Sequence, residues 1–404
     1  NLNINYKHYG KVFDYAPTIT KVDSTDIMNL SLNHFLHIMI DKKGSDLFVS
    51  SQLPVSAKIN GELIALSDDK LSDEQSLALV ESAMSDKQKN EFHTTKECNF
   101  AIATDEGRFR ISAFRQRDRA GMVIRRIVTQ IPDISDLGLP STLTDVIMSK
   151  RGLVLFVGGT GTGKSTSLAA LIGYRNRNQR GHILTIEDPI EFVHEHRKSI
   201  ITQREVGLDT DSFESALKSS LRQAPDVILI GEIRSQETME YALSFAETGH
   251  LCVATLHANN ANQAIDRIMH LVPKEKHDKL KYDLALNLRA IVAQQLIPTS
   301  DGEGRVAAIE ILLNSPMVAE LIKNGDIGGI KEAMSKSKEM GMQTFDQALF
   351  ELYKQQRINY ADALHHADSP NDLRLMIKLR NNEQQGAGFL QGVTIDGLDD
   401  KNSN

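Results

Sequence analysis

The feature that most constrains this chain is a glycine-rich run that matches the P-loop pattern G-x-x-x-x-G-K-[ST]. A short apolar run over residues 153–157 precedes it, as expected for a strand buried on both faces of a parallel sheet. After it, Leu168, Leu171 and Ile172 recur at helical spacing. A strand, a glycine-rich turn and a helix in this order aim backbone N–H groups at an anion. The sequence therefore predicts a site for a nucleoside triphosphate.

Within this run, Lys164 is predicted to reach the β- and γ-phosphates, and the hydroxyl of Ser165 to hold Mg²⁺. The alternative is a strand–helix turn that binds nothing, which the matching sequence on both sides disfavours. The residues predicted to bind the nucleotide are Gly158, Gly159, Thr160, Gly161, Thr162, Gly163, Lys164, Ser165 and Thr166.

The segment around the P-loop alternates between strand-like and helical patterns, which indicates a parallel α/β sheet. Ligands of such sheets lie beyond the carboxyl ends of the strands, so the residues at those ends are candidates for function. The strand-like runs are residues 153–157, 183–186, 227–230 and 251–255.

Three of these strand ends carry residues with acid–base chemistry. Glu232 follows the third strand, where a carboxylate can deprotonate a water that attacks the γ-phosphate. Glu187 opens an acidic stretch over 187–191, whose carboxylates repel one another unless a cation such as Mg²⁺ is close. His257 follows the fourth strand and can donate to the γ-phosphate. The alternatives are a solvated acid for Glu232 and a structural histidine for His257.

An arginine-rich segment precedes the P-loop, in a region of mixed helical and strand patterns. Guanidinium groups match phosphate oxygens, so some of these arginines are predicted to meet a phosphate. The alternatives are a basic hairpin face and a nucleic-acid patch, and the few interleaved aromatic residues disfavour the latter. The arginines are Arg108, Arg110, Arg115, Arg117, Arg119, Arg125 and Arg126.

Two turns are predicted in the same region. A turn over Asp118–Gly121 would place Arg110 and Arg125 on neighbouring strands, and Arg117 and Arg119 on a solvated face. Asn60-Gly61 predicts a second hairpin with a two-residue turn.

Residue composition and the positions of proline and glycine predict the domain boundaries. Residues 1–25 are polar and aperiodic and are expected to be a disordered extension. A first domain over 26–130 is followed by a Pro- and Gly-punctuated linker at 131–140. The P-loop domain spans 141–380 and becomes helical towards its end, and the polar residues 381–404 are expected to form a disordered tail.

Charge and cysteine content exclude several classes of protein. The net charge of −7 argues against general nucleic-acid binding. No stretch approaches 18 consecutive apolar residues, so no membrane-spanning helix is expected. The two cysteines, Cys98 and Cys252, form neither a disulfide framework nor a cysteine-rich zinc site.

Four motifs in order resemble the Walker A, Asp box, Walker B and His box of type II/IV secretion ATPases. Over about residues 30–380 the chain resembles the PilT/PilU branch of that family, the twitching-motility ATPases of type IV pili. Ser235 and the segments 258–263 and 367–379 resemble the PilU side of the branch. The four motifs are the P-loop, Ile186–Phe192, Gly231–Arg234, and Glu247–His250 with Thr255–His257.

This resemblance implies an N-terminal PAS-like α/β domain followed by a RecA-like P-loop ATPase domain with a helical C-terminal portion. It also implies a homo-hexameric ring with ATP between the domains. Arg110 and Arg125 match arginines that approach the nucleotide phosphates, Glu232 matches the catalytic glutamate, and His257 matches a histidine that contacts the γ-phosphate. Glu187 is the next candidate for the base.

The implied function is Mg²⁺-dependent ATP hydrolysis that drives or assists pilus retraction. The implied location is cytoplasmic, peripheral to the inner membrane at the pilus base. The implied partners are a PilT-type ATPase and an inner-membrane platform protein of the pilus, with no nucleic acid.

Three alternatives to an independent retraction motor stay open. Residues 317–324 correspond to a PilT helix but lack both of its arginines, which favours a ring subunit that mainly binds and regulates a PilT-type ATPase. Pilus-extension and secretion ATPases usually carry a four-cysteine zinc insertion, which two cysteines cannot supply. A DNA translocase is disfavoured by the charge balance and the motif set.

Overall fold

Two separate β-sheets, one in each part of the chain, organise the fold. The computed structural model describes residues 31–59, 61–127 and 130–390, with the backbone alone for 381–390. The chain divides into two units between residues 129 and 130. The prediction of an α/β protein is confirmed, while the PAS-like character of the first domain stays a prediction. The predicted extension at residues 1–25 lies outside the described residues.

Within residues 31–59 and 61–127, the first unit has a six-stranded antiparallel sheet and three helices. Its strands follow the order β3-β2-β1-β6-β5-β4. Side chains alternate between its two faces, so Leu47, Val49 and Ile111 are buried in one apolar core. The elements are α1 (Leu32–Asp41), β1 (Asp46–Ser50), β2 (Ser56–Ile59), β3 (Glu62–Ala65), α2 (Asp73–Ser82), α3 (Asp86–Thr95), β4 (Glu97–Thr104), β5 (Gly107–Gln116) and β6 (Arg119–Ile127).

The hairpin between β2 and β3 is present, with Ile59 paired to Glu62, although Asn60 itself lies outside the described residues. The arginine-rich hairpin, in contrast, turns earlier than predicted. Its turn consists of Arg117 and Asp118, with φ values of 51° and 62°. Gly121 lies inside β6, where an added Cβ would come 3.1 Å from the Phe114 ring. This glycine therefore accommodates a close side chain and does not form the turn.

The second unit is a seven-stranded sheet in the order β13-β12-β7-β11-β10-β8-β9, parallel except for the β12–β13 pair. The parallel sheet predicted around the P-loop is confirmed. Its elements are α4 (Ile134–Leu137), α5 (Thr142–Ile147), β7 (Gly152–Val157), α6 (Lys164–Asn178), β8 (Gly181–Glu187), β9 (Ser199–Glu205), α7 (Phe213–Ser220), β10 (Val227–Ile230), α8 (Gln236–Glu247), β11 (Leu251–Leu256), α9 (Ala261–His270), α10 (His277–Asn287), β12 (Leu288–Pro298), β13 (Arg305–Leu313), α11 (Pro316–Asn324), α12 (Ile327–Ser335), α13 (Phe345–Lys354), α14 (Tyr360–His366) and α15 (Pro370–Leu390).

Strand β7 is buried along its whole length, because both faces of the sheet are covered by helices. Leu153 and Leu155 face one core, to which α8 and α9 contribute. Val154 and Phe156 face the other core, to which α5 and α6 contribute. The P-loop therefore starts from a strand that packing fixes from two sides.

The predicted linker at residues 131–140 contains helix α4, which packs against α6 in the second unit. Ile134 and Leu137 are partly buried against an apolar core, and Asp133 Oδ1 lies 2.7 Å from Arg177 Nη2. These contacts make most of the segment part of the second unit, which begins at residue 130.

Helix α15 extends into the segment that was predicted to be disordered from residue 381. Helix α15 continues to Leu390, ten residues beyond Arg380, and residues 391–404 lie outside the described residues. Once a helix is nucleated, each added residue forms a hydrogen bond at little cost, and Glu and Gln are good helix formers. Among the described residues, no helix has the length and apolar content needed to cross a membrane.

A buried carboxylate connects the sheet to two helices of the C-terminal portion. Glu310 on β13 is 2% exposed. Its Oε1 accepts from the backbone N–H of Ala261 at 2.7 Å, and its Oε2 from that of Phe345 at 3.4 Å, at the starts of α9 and α13. Burial raises the pKa of this carboxyl to about 7, and the nearby charge of Asp368 acts in the same direction.

This pKa predicts that the Glu310 contribution to stability falls as pH rises. The unfolded carboxyl has a pKa of about 4.3, so between that pH and about 7 the folded state holds the proton more strongly. The free energy of unfolding should decrease over this range, and Glu310→Gln should remove that decrease. Urea denaturation at about pH 5 and about pH 8 measures the difference.

Exposed Glu303, in the loop between β12 and β13, supplies the matched control, because Glu303→Gln should leave the wild-type pH dependence unchanged. The same pH dependence in the wild type and in Glu310→Gln would contradict the prediction.

Candidate functional site

The P-loop connects the end of β7 to the start of α6, and two of its glycines have no room for a side chain. An added Cβ on Gly158 would lie 2.7 Å from the carbonyl oxygen of Gln294. On Gly163, which has a φ of 83°, it would lie 2.8 Å from Nε2 of the same glutamine. These glycines are therefore required by close packing of the loop on β12.

The side chain of Lys164 folds back over this loop. Its Nζ donates to the carbonyl oxygens of Gly158 at 2.8 Å and Gly159 at 2.7 Å. Burial lowers the pKa of Lys164, and the charges of Glu232 and Glu191 partly offset that effect. The structure thus places the lysine ammonium at the loop, where the sequence predicted contacts with phosphate.

The other predicted groups lie on the strands beside β7. Strand β11 pairs with β7 through Leu256 and Val157, so His257 emerges next to the P-loop. Strand β10 pairs with β11 and leads to Glu232, and β8 pairs with β10 and ends in Glu187. The carboxyl ends of four adjacent strands therefore meet at one edge of the sheet.

Glu232 is held by two cationic or potentially cationic neighbours. Its Oε2 accepts from Nε and Nη2 of Arg234 at 2.8 and 2.7 Å, and its Oε1 lies 3.3 Å from His257 Nε2. Arg234 also lies 3.7 Å from Asp188. The carboxylate is only 18% exposed, so its orientation is set by these partners.

The turn that carries Glu232 is fixed to both neighbouring strands. The N–H of Gly231 donates to Ile186 O at 2.7 Å, and the N–H of Ile233 donates to Thr255 O at 2.9 Å. The Thr255 hydroxyl also donates to the carbonyl of Gly231. These bonds hold the carboxylate in register with the P-loop strand.

The acids of the 187–191 stretch differ in their surroundings. Glu187 Oε1 accepts from the Thr185 hydroxyl at 2.6 Å and from Gln203 Nε2 at 3.2 Å. Burial raises the pKa of Glu187, against the effect of these hydrogen bonds, and the charge of Glu191 acts in the same direction as burial. Asp188 and Glu191 are exposed. Donors from the protein therefore satisfy Glu187, while the other two acids face solvent.

No group of three or more His, Cys, Asp or Glu side chains is arranged to hold a metal ion in the part of the chain that the structure describes. Ser165, the predicted Mg²⁺ ligand, is the second residue of α6, at the carboxyl end of β7. A magnesium ion bound there would need oxygen ligands from the nucleotide and from water in addition to this hydroxyl.

A cleft of about 520 Å³ adjoins the P-loop on the side of β12. It lies wholly within the second unit, between the loop and α14. Its lining includes Gly158, Thr162, Gln263, Gln295, His365 and Asp368.

The first unit brings Arg110 and Arg125 together, as expected from a hairpin. They are directly opposite each other on β5 and β6, and both are exposed. Asp46 on β1 offsets part of their charge, since its Oδ1 lies 2.7 Å from Arg125 Nε. Arg119 pairs with Asp73 at 3.1 Å, and Arg117 forms the turn.

Sequence reasoning assigned no role to three residues at the site. Arg234 binds Glu232, Gln203 binds Glu187, and Gln294 donates from Nε2 to Thr162 O at 2.9 Å. Gln294 follows an apolar run on β12, and this change from apolar to polar residues was the one feature of the sequence that could have indicated its role.

Comparison with known proteins gives a consistent result. A family model described as "Type II/IV secretion system protein" matches residues 20–320. The chain is 56% identical over 374 residues to the type IV pilus ATPase PilU of Pseudomonas aeruginosa, covering 92% of this chain and 98% of that protein. It is 38% identical over 344 residues to the PilT retraction ATPase of the same organism, covering 85% and 100%.

A solved structure extends the similarity to the fold. The crystal structure of the pilus retraction motor PilT with bound ADP superposes with a TM-score of 0.81 at 37% identity. The match covers 85% of this chain and 99% of that one.

Proposed function

Because the chain belongs to the PilT/PilU family of type II/IV secretion ATPases, we propose that it is a type IV pilus ATPase that drives or assists pilus retraction through Mg-ATP hydrolysis. The observation that carries the proposal is the convergence of Lys164, Glu232 and His257 at the carboxyl ends of adjacent parallel strands. The 56% identity to PilU over most of the chain supports a role in the type IV pilus.

The P-loop residues fit a triphosphate. Gly158 and Gly163 pack so closely that the loop can form only with glycine at both positions. Lys164 has two carbonyl partners that phosphate oxygens would replace. With Ser165 as a ligand, Mg²⁺ would neutralise charge that develops on the β- and γ-phosphates.

In the proposed mechanism, Glu232 is the general base that takes a proton from the attacking water. Arg234 holds Oε2 of this carboxylate and leaves Oε1 directed towards His257. His257 donates to the γ-phosphate and reports its presence, and Glu187 is the second candidate for the base. Arg110 and Arg125 bring positive charge to the transferring group from the N-terminal domain.

Substitution of the lysine and the glutamate should separate binding from chemistry. Lys164→Ala should abolish hydrolysis, because no neighbouring residue replaces its charge at the phosphates. Glu232→Gln should keep nucleotide binding and lose on the order of 10²–10⁴ in turnover, because the amide keeps the shape and lacks the base. Phosphate release and fluorescent-nucleotide titration measure the two effects.

Glu237→Gln is the matched control, since Glu237 lies five residues away in the first turn of α8 and should leave turnover unchanged. If binding and hydrolysis fall together in Glu232→Gln, the base lies elsewhere and Glu187 is tested next.

The arginines of the first domain should differ in their effect on hydrolysis. Arg110→Ala or Arg125→Ala should reduce turnover strongly, because arginines that reach the transferring phosphate contribute about 10³–10⁵ in rate. Arg117→Ala and Arg119→Ala should change it little, because these residues lie at the hairpin turn and beside Asp73. If all four substitutions reduce turnover by the same small amount, the arginine cluster is a basic surface without a role in hydrolysis.

A homo-hexameric ring at the cytoplasmic side of the inner membrane is part of the proposal, with a platform protein as the membrane partner and no nucleic acid. The second candidate is a ring subunit that mainly binds and regulates a PilT-type ATPase. It is favoured by residues 317–324, all of which lie in α11, where both arginines of the corresponding PilT helix are missing.

Assays with the partner should distinguish the two candidates. An independent motor should hydrolyse ATP at a rate that a PilT-type ATPase does not change. A regulatory subunit should hydrolyse ATP only weakly when it is alone. It should also change the partner's rate of ATP hydrolysis when it carries the Glu232→Gln substitution. Size-exclusion chromatography with light scattering gives the ring size and tests for mixed assemblies.

A further inference from the structure

Gln294 is a buried glutamine directly beside the P-loop. It lies on β12, which pairs in parallel with β7 through Ala293 and Val157, so it sits next to the first loop glycine, Gly158. Its side chain is 2% exposed, and its Nε2 donates to the carbonyl oxygen of Thr162 at 2.9 Å. These two residues are 132 positions apart in the sequence.

We propose that Gln294 is a positioning residue that orients the peptide groups of the P-loop for phosphate binding. The inference rests on the proposed nucleotide site and adds to it a residue that touches the loop and not the phosphate.

The geometry of the peptide unit carries the argument. The C=O of Thr162 and the N–H of Gly163 belong to one planar peptide group and point in opposite directions. A donor from β12 that holds this C=O therefore directs the N–H away from β12. Backbone N–H groups that point out of such a loop form the concave site that binds anions.

The close packing of the loop on the amide supports the same reading. An added Cβ on Gly163 would lie 2.8 Å from Gln294 Nε2, and one on Gly158 would lie 2.7 Å from Gln294 O. The two glycines thus allow the loop to lie directly on this residue, with Gly163 against its side-chain amide and Gly158 against its main-chain carbonyl.

The stability of the protein alone does not account for a glutamine here. Its Oε1 is buried and has no hydrogen-bond partner within the described residues. A buried acceptor without a partner costs stability, which offsets the gain from the bond between Nε2 and Thr162 O. A buried polar atom without a partner calls for an explanation, and a role of this amide at the P-loop supplies one.

Gln343 supplies a matched control. It is the same residue type, it is half-buried, and its Nε2 donates to a backbone carbonyl oxygen, that of Ile309 on β13, at 2.6 Å. It does not line the cleft beside the P-loop.

The test compares Gln294→Met, Gln294→Glu and Gln343→Met in the full chain. A fluorescent ATP analogue reports affinity, and thermal unfolding reports stability. Gln294→Met should weaken binding on the order of tenfold with a melting temperature close to that of the wild type, because it removes both the bond to Thr162 O and the unpaired Oε1. Gln343→Met should leave the affinity within about twofold.

Gln294→Glu adds a readout that a purely structural role would not produce. An ionised carboxylate cannot donate to Thr162 O, whereas a protonated one can. The affinity of this variant, divided by that of the wild type at the same pH, should therefore increase as the pH falls from about 8 to about 5.5. The ionisable groups of the adjoining cleft, His365, His366 and Asp368, are common to all these proteins, so the wild type and Gln294→Met measured at both pH values correct for them.

Each outcome decides the inference. Unchanged affinity in Gln294→Met, or a loss that only follows a lowered melting temperature, overturns it, as does a Gln294→Glu variant with the wild-type pH dependence. Lys164→Ala is the reference for the site itself. If that variant and the wild type bind equally, the proposed nucleotide site fails, whereas failure of the Gln294 variants alone leaves it standing.

Discussion

The burial of β7 on both faces is the constraint on which the site depends. Its side chains enter two different apolar cores, so the strand can neither slide nor tilt without exposing one of them. The loop that follows is anchored at a fixed point, and α6 begins at Lys164 directly after it. The neighbouring strands are in register with β7, and this register brings Glu232 and His257 to the same edge.

The charged groups at this edge are satisfied by the protein itself. Lys164 binds loop carbonyls, and Glu232 binds Arg234 and His257. A nucleotide bound as proposed would exchange the carbonyl partners of Lys164 for its own oxygens. The orientation of Glu232 is set by Arg234 and His257, which lie at the same edge of the sheet.

Sequence patterns predicted the parallel sheet and the strand ends because burial on two faces and local motifs leave a strong local signal. The partners of those residues escaped prediction because they come from distant segments. Gln294 reaches Thr162 across 132 positions, and Gln203 reaches Glu187 from the next strand. The turn at Arg117 and Asp118 was misplaced because non-glycine residues adopt the left-handed conformation there, while Gly121 serves packing. The roles of the site residues stay predictions.

The C-terminal helices are connected to the same edge of the sheet through β12 and β13. Gln294 on β12 holds the P-loop, while Glu310 on β13 accepts from the first residues of α9 and α13. Helix α9 begins four residues after His257, so the helix start that Glu310 holds lies close in sequence to the end of β11. Strands β12 and β13 are paired along nine residue pairs, so neither can shift without breaking hydrogen bonds to the other. The starts of helices α9 and α13 are therefore anchored to the same pair of strands that supports the P-loop.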